Sequence, residues 1–348
     1  MEPSALRCSL WIEYSRTTRR FRCWFLVWIV FGGGPLTFYH QPVLLEDVMG
    51  FWLGQNPGVY VDCTLGGGGH SAALLPRLEA GSVLHGFDRD SDALNHAKGI
   101  LQSSNVAISL HHCAFAELSS CLSASSADGI LYDLGVSSHQ LDEDSRGFSL
   151  AASKVPLDLR MDLNDSLDAQ TWLRDTDADT MAHVFRAHSD LDRAHALARK
   201  VKEVVDLAIS EGEAITAAHL RTAVDRIFRD RRFDQNSLMA RLLQAVRMEI
   251  NQEMPQLEQS LAMAVDLLRP GGNLCVISYH SVEDRKVKTT LARYEQDCIC
   301  PPRSPQCICG GNHRKLRKVL RKPMTPADSE MRDNPRSRSA KLRVYQRV

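Results

Sequence analysis

Short apolar runs bounded by turn residues recur through the first part of the chain, at Val59 to Cys63, Val83 to Asp88, Ala107 to His112 and Gly129 to Asp133. Each is too apolar to face water on either side, which predicts strands of a parallel sheet covered on both faces. Between them, Ser71 to Leu78 and Ser91 to Leu101 carry helical spacing, so the order is that of βαβ units and the sheet is doubly wound. From about Arg146 to Met254 the pattern turns helical, with period-3.6 runs in Leu191 to Ile209, Ala214 to Phe228 and Leu238 to Ile250. Strand character returns at Asn273 to Ser278 and again at Lys341 to Val348, and the Pro-rich, charge-biased stretch from Cys298 to Pro335 reads as a loop before the last strand. The pattern predicts one discontinuous α/β core that holds one inserted helical domain.

The strand ends carry the candidate chemistry. Val61-Asp62-Cys63-Thr64-Leu65 breaks into Gly66-Gly67-Gly68-Gly69-His70, a loop in which a ligand can approach the backbone closely. Gly67-x-Gly69-x-x-Ala72 also satisfies the loose dinucleotide fingerprint, so the loop alone leaves a nicotinamide cofactor and S-adenosylmethionine both open. The second strand ends in Asp88, where a carboxylate can accept both ribose hydroxyls of an adenosine cofactor. Phe115, after the third strand, is placed to stack on an adenine ring or to fill the core. The fourth strand delivers Asp133, followed by Ser137 and Ser138, to the carboxyl edge of the sheet, where α/β enzymes bind their ligands.

Lys and Arg balance Asp and Glu at 42 each, so net charge argues for no class of partner. Distribution does: Arg314 to Val348 holds twelve Lys or Arg against Asp328, Glu330 and Asp333, a patch suited to a phosphate backbone. Six of the ten cysteines are scattered, which fits a reducing cytoplasm. The other four form Cys298-x-Cys300 and Cys307-x-Cys309; zinc, free thiols and a redox pair all fit that spacing, and no metal is assigned. Near the start, four arginines precede an apolar run from Cys23 to Phe31, which is too short to span a bilayer and is closed by Gly32-Gly33-Gly34-Pro35. Residues 1–36 read as an extension outside the core, translated from a start assigned too far upstream.

Longer strings then accumulate in order: His40-Gln41-Pro42-Val43-Leu44-Leu45, Asp133-Leu134-Gly135-Val136-Ser137-Ser138, Arg146-Gly147-Phe148-Ser149, and Pro156-Leu157-Asp158-Leu159-Arg160-Met161-Asp162. Ser278-Tyr279-His280-Ser281-Val282-Glu283-Asp284-Arg285 and Asn334-Pro335-Arg336-Ser337-Arg338-Ser339 follow. With them the chain from Phe38 onward resembles the 16S rRNA cytosine-N(4) methyltransferases, the RsmH or MraW family. The departures are Ser237-Leu238-Met239-Ala240 and Ser189-Asp190, where relatives carry other strings.

The resemblance implies a Rossmann-like class I S-adenosylmethionine methyltransferase core, split as 37–145 and 255–348, around an inserted all-helical substrate-binding domain at 146–254. It implies S-adenosylmethionine contacts at Gly68, Gly69, His70, Asp88, Phe115, Asp133 and Gln140, of which His70 and Gln140 rest on the resemblance alone. The implied activity is N(4)-methylation of a decoding-centre cytidine in 16S rRNA of the small ribosomal subunit, in the cytoplasm and without a membrane. Asp133, Tyr279 and His280 are the candidates for the catalytic centre, and Arg146, Arg160, Arg241 and Arg247 for phosphate contacts around an extruded base. The rival readings are a nicotinamide-dependent oxidoreductase, which leaves the basic C-terminus unexplained, and a non-catalytic assembly factor, which has no need of Gly68, Asp88 and Asp133.

Overall fold

The computed structural model describes residues 42–137, 140–141, 143–149, 154–229, 234–301 and 306–348. The N-terminal extension and Ser138 lie outside them. Seven strands form one sheet: β1 (Val59–Asp62), β2 (Val83–Asp88), β3 (Ala107–His112), β4 (Ala127–Asp133), β5 (Leu268–Ser278), β6 (Leu316–Lys318) and β7 (Lys341–Arg347), in the order β3-β2-β1-β4-β5-β7-β6. The first five are parallel, whereas β7 runs antiparallel between β5 and β6. The strand order reverses between β1 and β4, which opens a crevice at their carboxyl ends.

One face of the sheet is covered by α1 (Leu45–Trp52), α2 (Gly69–Leu74) and α3 (Ser91–Ile100), whose Val48, Trp52, Leu74 and Ala97 share an apolar cluster with Tyr60, Leu84 and Ile277. Gly129 is required here, because a Cβ would stand 2.3 Å from the carbonyl oxygen of Trp52. After the short α4 (Leu118–Cys121) come α5 (Ala169–Asp175), α6 (Ala178–Ser189), α7 (Ala194–Ser210), α8 (Ala217–Ile227) and α9 (Gln235–Ile250). Their inward faces form a separate cluster, from Phe148 to Ile250, built on Trp172, Phe185, Val201, Leu220 and Leu242. The other face of the sheet is covered by α10 (Glu253–Leu267) and α11 (Ser281–Ala292), through Leu257, Leu261, Val265, Val287 and Leu291.

Three expectations are revised. Residues 154–168 are not helical: Pro156 bridges Thr216, Leu159 takes a φ of +60°, and the acidic run that follows forms turns. β5 starts five residues early: Leu268 already pairs with Ala127, the register shifts before Gly129 as at a bulge, and Gly272 fits there because a Cβ would stand 3.0 Å from the Ala127 and Asp128 carbonyl oxygens. The stretch expected as a loop before β7 contains β6 and α12 (Asp328–Asp333). Three residues give no readable period, and what makes β6 a strand is its pairing with β7 and the full burial of Leu316.

Candidate active site

The site grows from the carboxyl ends of β1, β2, β4 and β5. Beyond β1 the chain turns through Gly66 (φ +50°) and Gly68 (φ +79°), and a Cβ on Gly68 would press on Ala97 at 3.3 Å. Only glycine combines that conformation with that closeness. The Gly66 N–H donates to Asp88 Oδ2 at 2.7 Å, and the Asp90 N–H to Asp88 Oδ1 at 2.9 Å. Burial raises the Asp88 carboxyl to about 6, although the backbone N–H groups of Asp90 and Gly66 pull it down.

At the end of β4, the Asp133 N–H donates to Thr64 Oγ1 at 2.6 Å, which locks β4 to the glycine loop. Asp133 Oδ1 accepts the Tyr279 hydroxyl at 2.9 Å, and Oδ2 stands 3.6 Å from His70 Nδ1. Burial lifts Asp133 to about 7, with Tyr279 acting against the rise and Glu283 adding to it. His70 is buried, with Nε2 3.0 Å from the Val43 carbonyl, and burial keeps its ring on the neutral side.

Tyr279 and His280 close β5 and open α11. Glu283 Oε2 accepts both of their backbone N–H groups, at 2.9 and 3.1 Å, while the His280 ring accepts the Glu283 N–H in a reciprocal capping box. That leaves one ring nitrogen of His280 for a substrate. Burial, then the Arg247 charge, lower His280 to about 4, so it is neutral at physiological pH. Between β1, β4 and α10 lies a pocket open to solvent, lined by Thr64, Phe115, Leu134, Gly135, Met161 and Glu283, among others. Phe115 meets Tyr132 edge-on at 5.9 Å and also faces this space.

The structure therefore brings Gly68, Asp88, Phe115, Asp133, Tyr279 and His280 to one edge of the sheet. Gln140 sits behind them: its amide N donates to Asp90 Oδ2 at 2.9 Å, and its carbonyl accepts the Ser137 N–H at 3.1 Å. Gly69 and His70 form the first turn of α2, with His70 turned inward.

The four arginines are placed differently from the expectation. Arg146 is 4% exposed and donates to Asp90 Oδ2 (3.2 Å) and to the carbonyls of Arg160 and Met161. Arg247 is 6% exposed and grips Glu253 through two bonds of 2.8 and 3.0 Å. In those positions both are engaged by the protein's own carboxylates and carbonyls. Arg160 forks onto Asp158 and reaches the carbonyls of Leu163 and Asp165, and Arg241 holds those of Ser189 and Asp190. The Ser189 and Asp190 carbonyls thus anchor Arg241, and the Asp190 carboxylate also pairs with Arg285 at 3.0 Å.

Sequence reasoning passed over the supporting roles of Thr64, Asp90 and Glu283. The signal for Glu283 was present, since Ser-x-Glu-Asp directly after a strand end is the sort of sequence that opens a helix with a cap.

The family model described as the MraW methylase family matches residues 37–348. The chain belongs to that family. Its core is Rossmann-like, and its cofactor is S-adenosylmethionine. It is 38% identical over 320 residues to a ribosomal RNA small subunit methyltransferase H from Paenibacillus sp., covering 89% of this chain and all of that protein. It is 37% identical to the protein of that name from Heliobacterium modesticaldum, covering 90% of this chain and all of the relative. Among solved structures, an rRNA methylase from Streptococcus thermophilus aligns over 87% of this chain and 93% of its own at 11% identity and a TM-score of 0.36. No helix among the described residues is long and apolar enough to cross a membrane.

Proposed function

We propose that this methyltransferase acts on ribosomal RNA of the small subunit, and that its acceptor is the N(4) amino group of a decoding-centre cytidine. The observation that carries the reading is the Asp133 carboxylate, held at the sheet edge by Thr64 and Tyr279 with no cationic side chain bonded to it among the described residues. The names of the relatives supply the RNA.

The donor set fits S-adenosylmethionine. Gly66 and Gly68 leave the loop bare, Asp88 offers carboxylate oxygens to ribose hydroxyls, and Phe115 offers an apolar ring face beside the cavity. When bound, the cofactor supplies a methyl group on a positively charged sulfur. This chain's residues must do the rest. The lone pair of a cytosine amino group is delocalised into the ring, so an acceptor has to hold one N–H and turn that lone pair outward. Asp133 Oδ2 is available for that task, because the Tyr279 hydroxyl is spent on Oδ1. The neutral His280 ring stands at the neighbouring strand end, and its free nitrogen is positioned to hold the base or take the departing proton.

Residues 146–254, read as an inserted helical domain, then serve to hold the RNA strand, together with the basic C-terminal segment. Arg314, Arg317, Arg321 and Lys322 lie exposed there. The test is transfer of labelled methyl from S-adenosylmethionine to small subunits lacking the modification, followed by nucleoside analysis. N(4)-methylcytidine is the expected product; label on another base or on none contradicts the proposal.

A further inference from the structure

Between α11 and β6 the chain puts forward a loop with little apolar burial of its own. Its two Cys-Ile-Cys segments turn the isoleucines outward, Ile299 being 59% and Ile308 85% exposed. Burial of apolar area cannot hold such a loop in shape. The thiols nevertheless converge: Cys298 Sγ lies 3.6 Å from both Cys307 Sγ and Cys309 Sγ, Cys307 lies 3.5 Å from Cys309, and Cys300 lies 3.9 Å from Cys307. All four sulfurs are within 4.8 Å of one another.

These separations match one chemistry. A disulfide needs sulfurs at about 2.05 Å. A tetrahedron of thiolates around zinc, with Zn–S bonds of about 2.3 Å, puts its sulfurs roughly 3.8 Å apart. The backbone is also arranged for thiolates. The Ile308 N–H donates to Cys300 Sγ at 3.3 Å, and Gly310 and Gly311, at φ +78° and +71°, turn the chain sharply after Cys309. The base of the loop is tied by the His313 N–H to the Asp297 carbonyl and the Lys315 N–H to the Tyr294 carbonyl, at 3.1 and 2.8 Å. His313 Nε2 lies 3.0 Å from the Cys309 carbonyl, which leaves the four thiols as the complete donor set.

We propose that Cys298, Cys300, Cys307 and Cys309 bind one zinc ion as a closed tetrathiolate that fixes this loop. Four protein ligands leave no open position, so the ion is structural and takes no part in methyl transfer. The closed site would carry a net charge of two negative units a few residues before Arg314, Lys315 and Arg317 in the chain.

The full chain, expressed with zinc and purified under reducing conditions, is expected to carry one zinc per molecule. Replacement by cobalt(II) should give the thiolate-to-cobalt charge-transfer band and the visible bands of a tetrahedral sulfur site. The double variant Cys298→Ser/Cys307→Ser should lose the metal and the spectrum while binding S-adenosylmethionine within about twofold of the parent. A wild-type protein with no more zinc than the double variant, a cobalt spectrum without thiolate bands, or cysteines paired as disulfides under these conditions would each overturn the proposal. The cobalt spectrum is read on the wild-type chain, so it stands even where the variant fails to fold.

Discussion

The carboxyl edge of the sheet and the helical stretch between β4 and β5 both bury charge, but in opposite ways. At the edge, Asp62, Asp88 and Asp133 are enclosed without a guanidinium or ammonium partner among the described residues, and burial lifts them to about 6, 6 and 7. In and around the helices each buried cation has its carboxylate: Arg146 has Asp90, and Arg247 has Glu253. An uncompensated buried carboxylate is costly, and such groups are concentrated where a ligand is to be met. A buried pair that satisfies itself has nothing left to offer a ligand, and its role is to fix geometry.

Four substitutions or titrations break or sharpen this contrast. The largest effect is expected for Asp133→Asn, which keeps the shape and removes the charge. Single-turnover methyl transfer should fall by about 10²–10⁴-fold, the usual contribution of a positioned proton acceptor. A fall of less than threefold would move the reaction to another group. Arg247→Met comes next: it strands Glu253 and should cost about 3–5 kcal/mol in urea denaturation. The double change Arg247→Met/Glu253→Leu should recover most of that loss. If Arg247→Met instead leaves stability intact and weakens RNA binding, the arginine is a phosphate contact after all.

The third effect is a pH slope. Asp133, raised to about 7, binds its proton more tightly folded than unfolded, where its pKa is about 3.9. Its contribution to stability is therefore complete below about pH 4 and lost as pH rises through 7. Asp88, raised to about 6, acts with the same sign. Cofactor-free protein should lose stability between about pH 4 and pH 7, and Asp133→Asn should flatten the decline; a parallel decline in both proteins would contradict the assignment. The smallest effect is expected at the surface. Arg321→Ala/Lys322→Ala should weaken RNA binding about tenfold and reduce its salt dependence, leaving stability within about 0.5 kcal/mol.

The same contrast separates what could be read in the sequence from what could not. Asp88, Asp133 and Tyr279 were legible because each ends a buried apolar run, and the run fixes where the strand delivers it. The arginines were not, since a guanidinium beside an apolar helix looks the same whether it faces solvent or a carboxylate far along the chain. Arg146 meets Asp90 across 56 residues, and only tertiary packing brings them together. Likewise β6 is defined by its neighbour β7, and Gln140 meets Asp90 through a hydrogen bond that no local pattern encodes. The four cysteines were visible as a motif, but their convergence was not, because it depends on how two Cys-x-Cys segments fold back on each other.

The central claim is that Asp133 is kept uncompensated for a positively charged ligand. It is tested most directly by calorimetry of S-adenosylmethionine binding at pH 7 in buffers of different ionisation enthalpy. The account predicts that the sulfonium draws a proton off Asp133. Proton release should then accompany S-adenosylmethionine, be much smaller with the neutral S-adenosylhomocysteine, and vanish in Asp133→Asn. Equal release with both ligands, or release that persists in the variant, would contradict it.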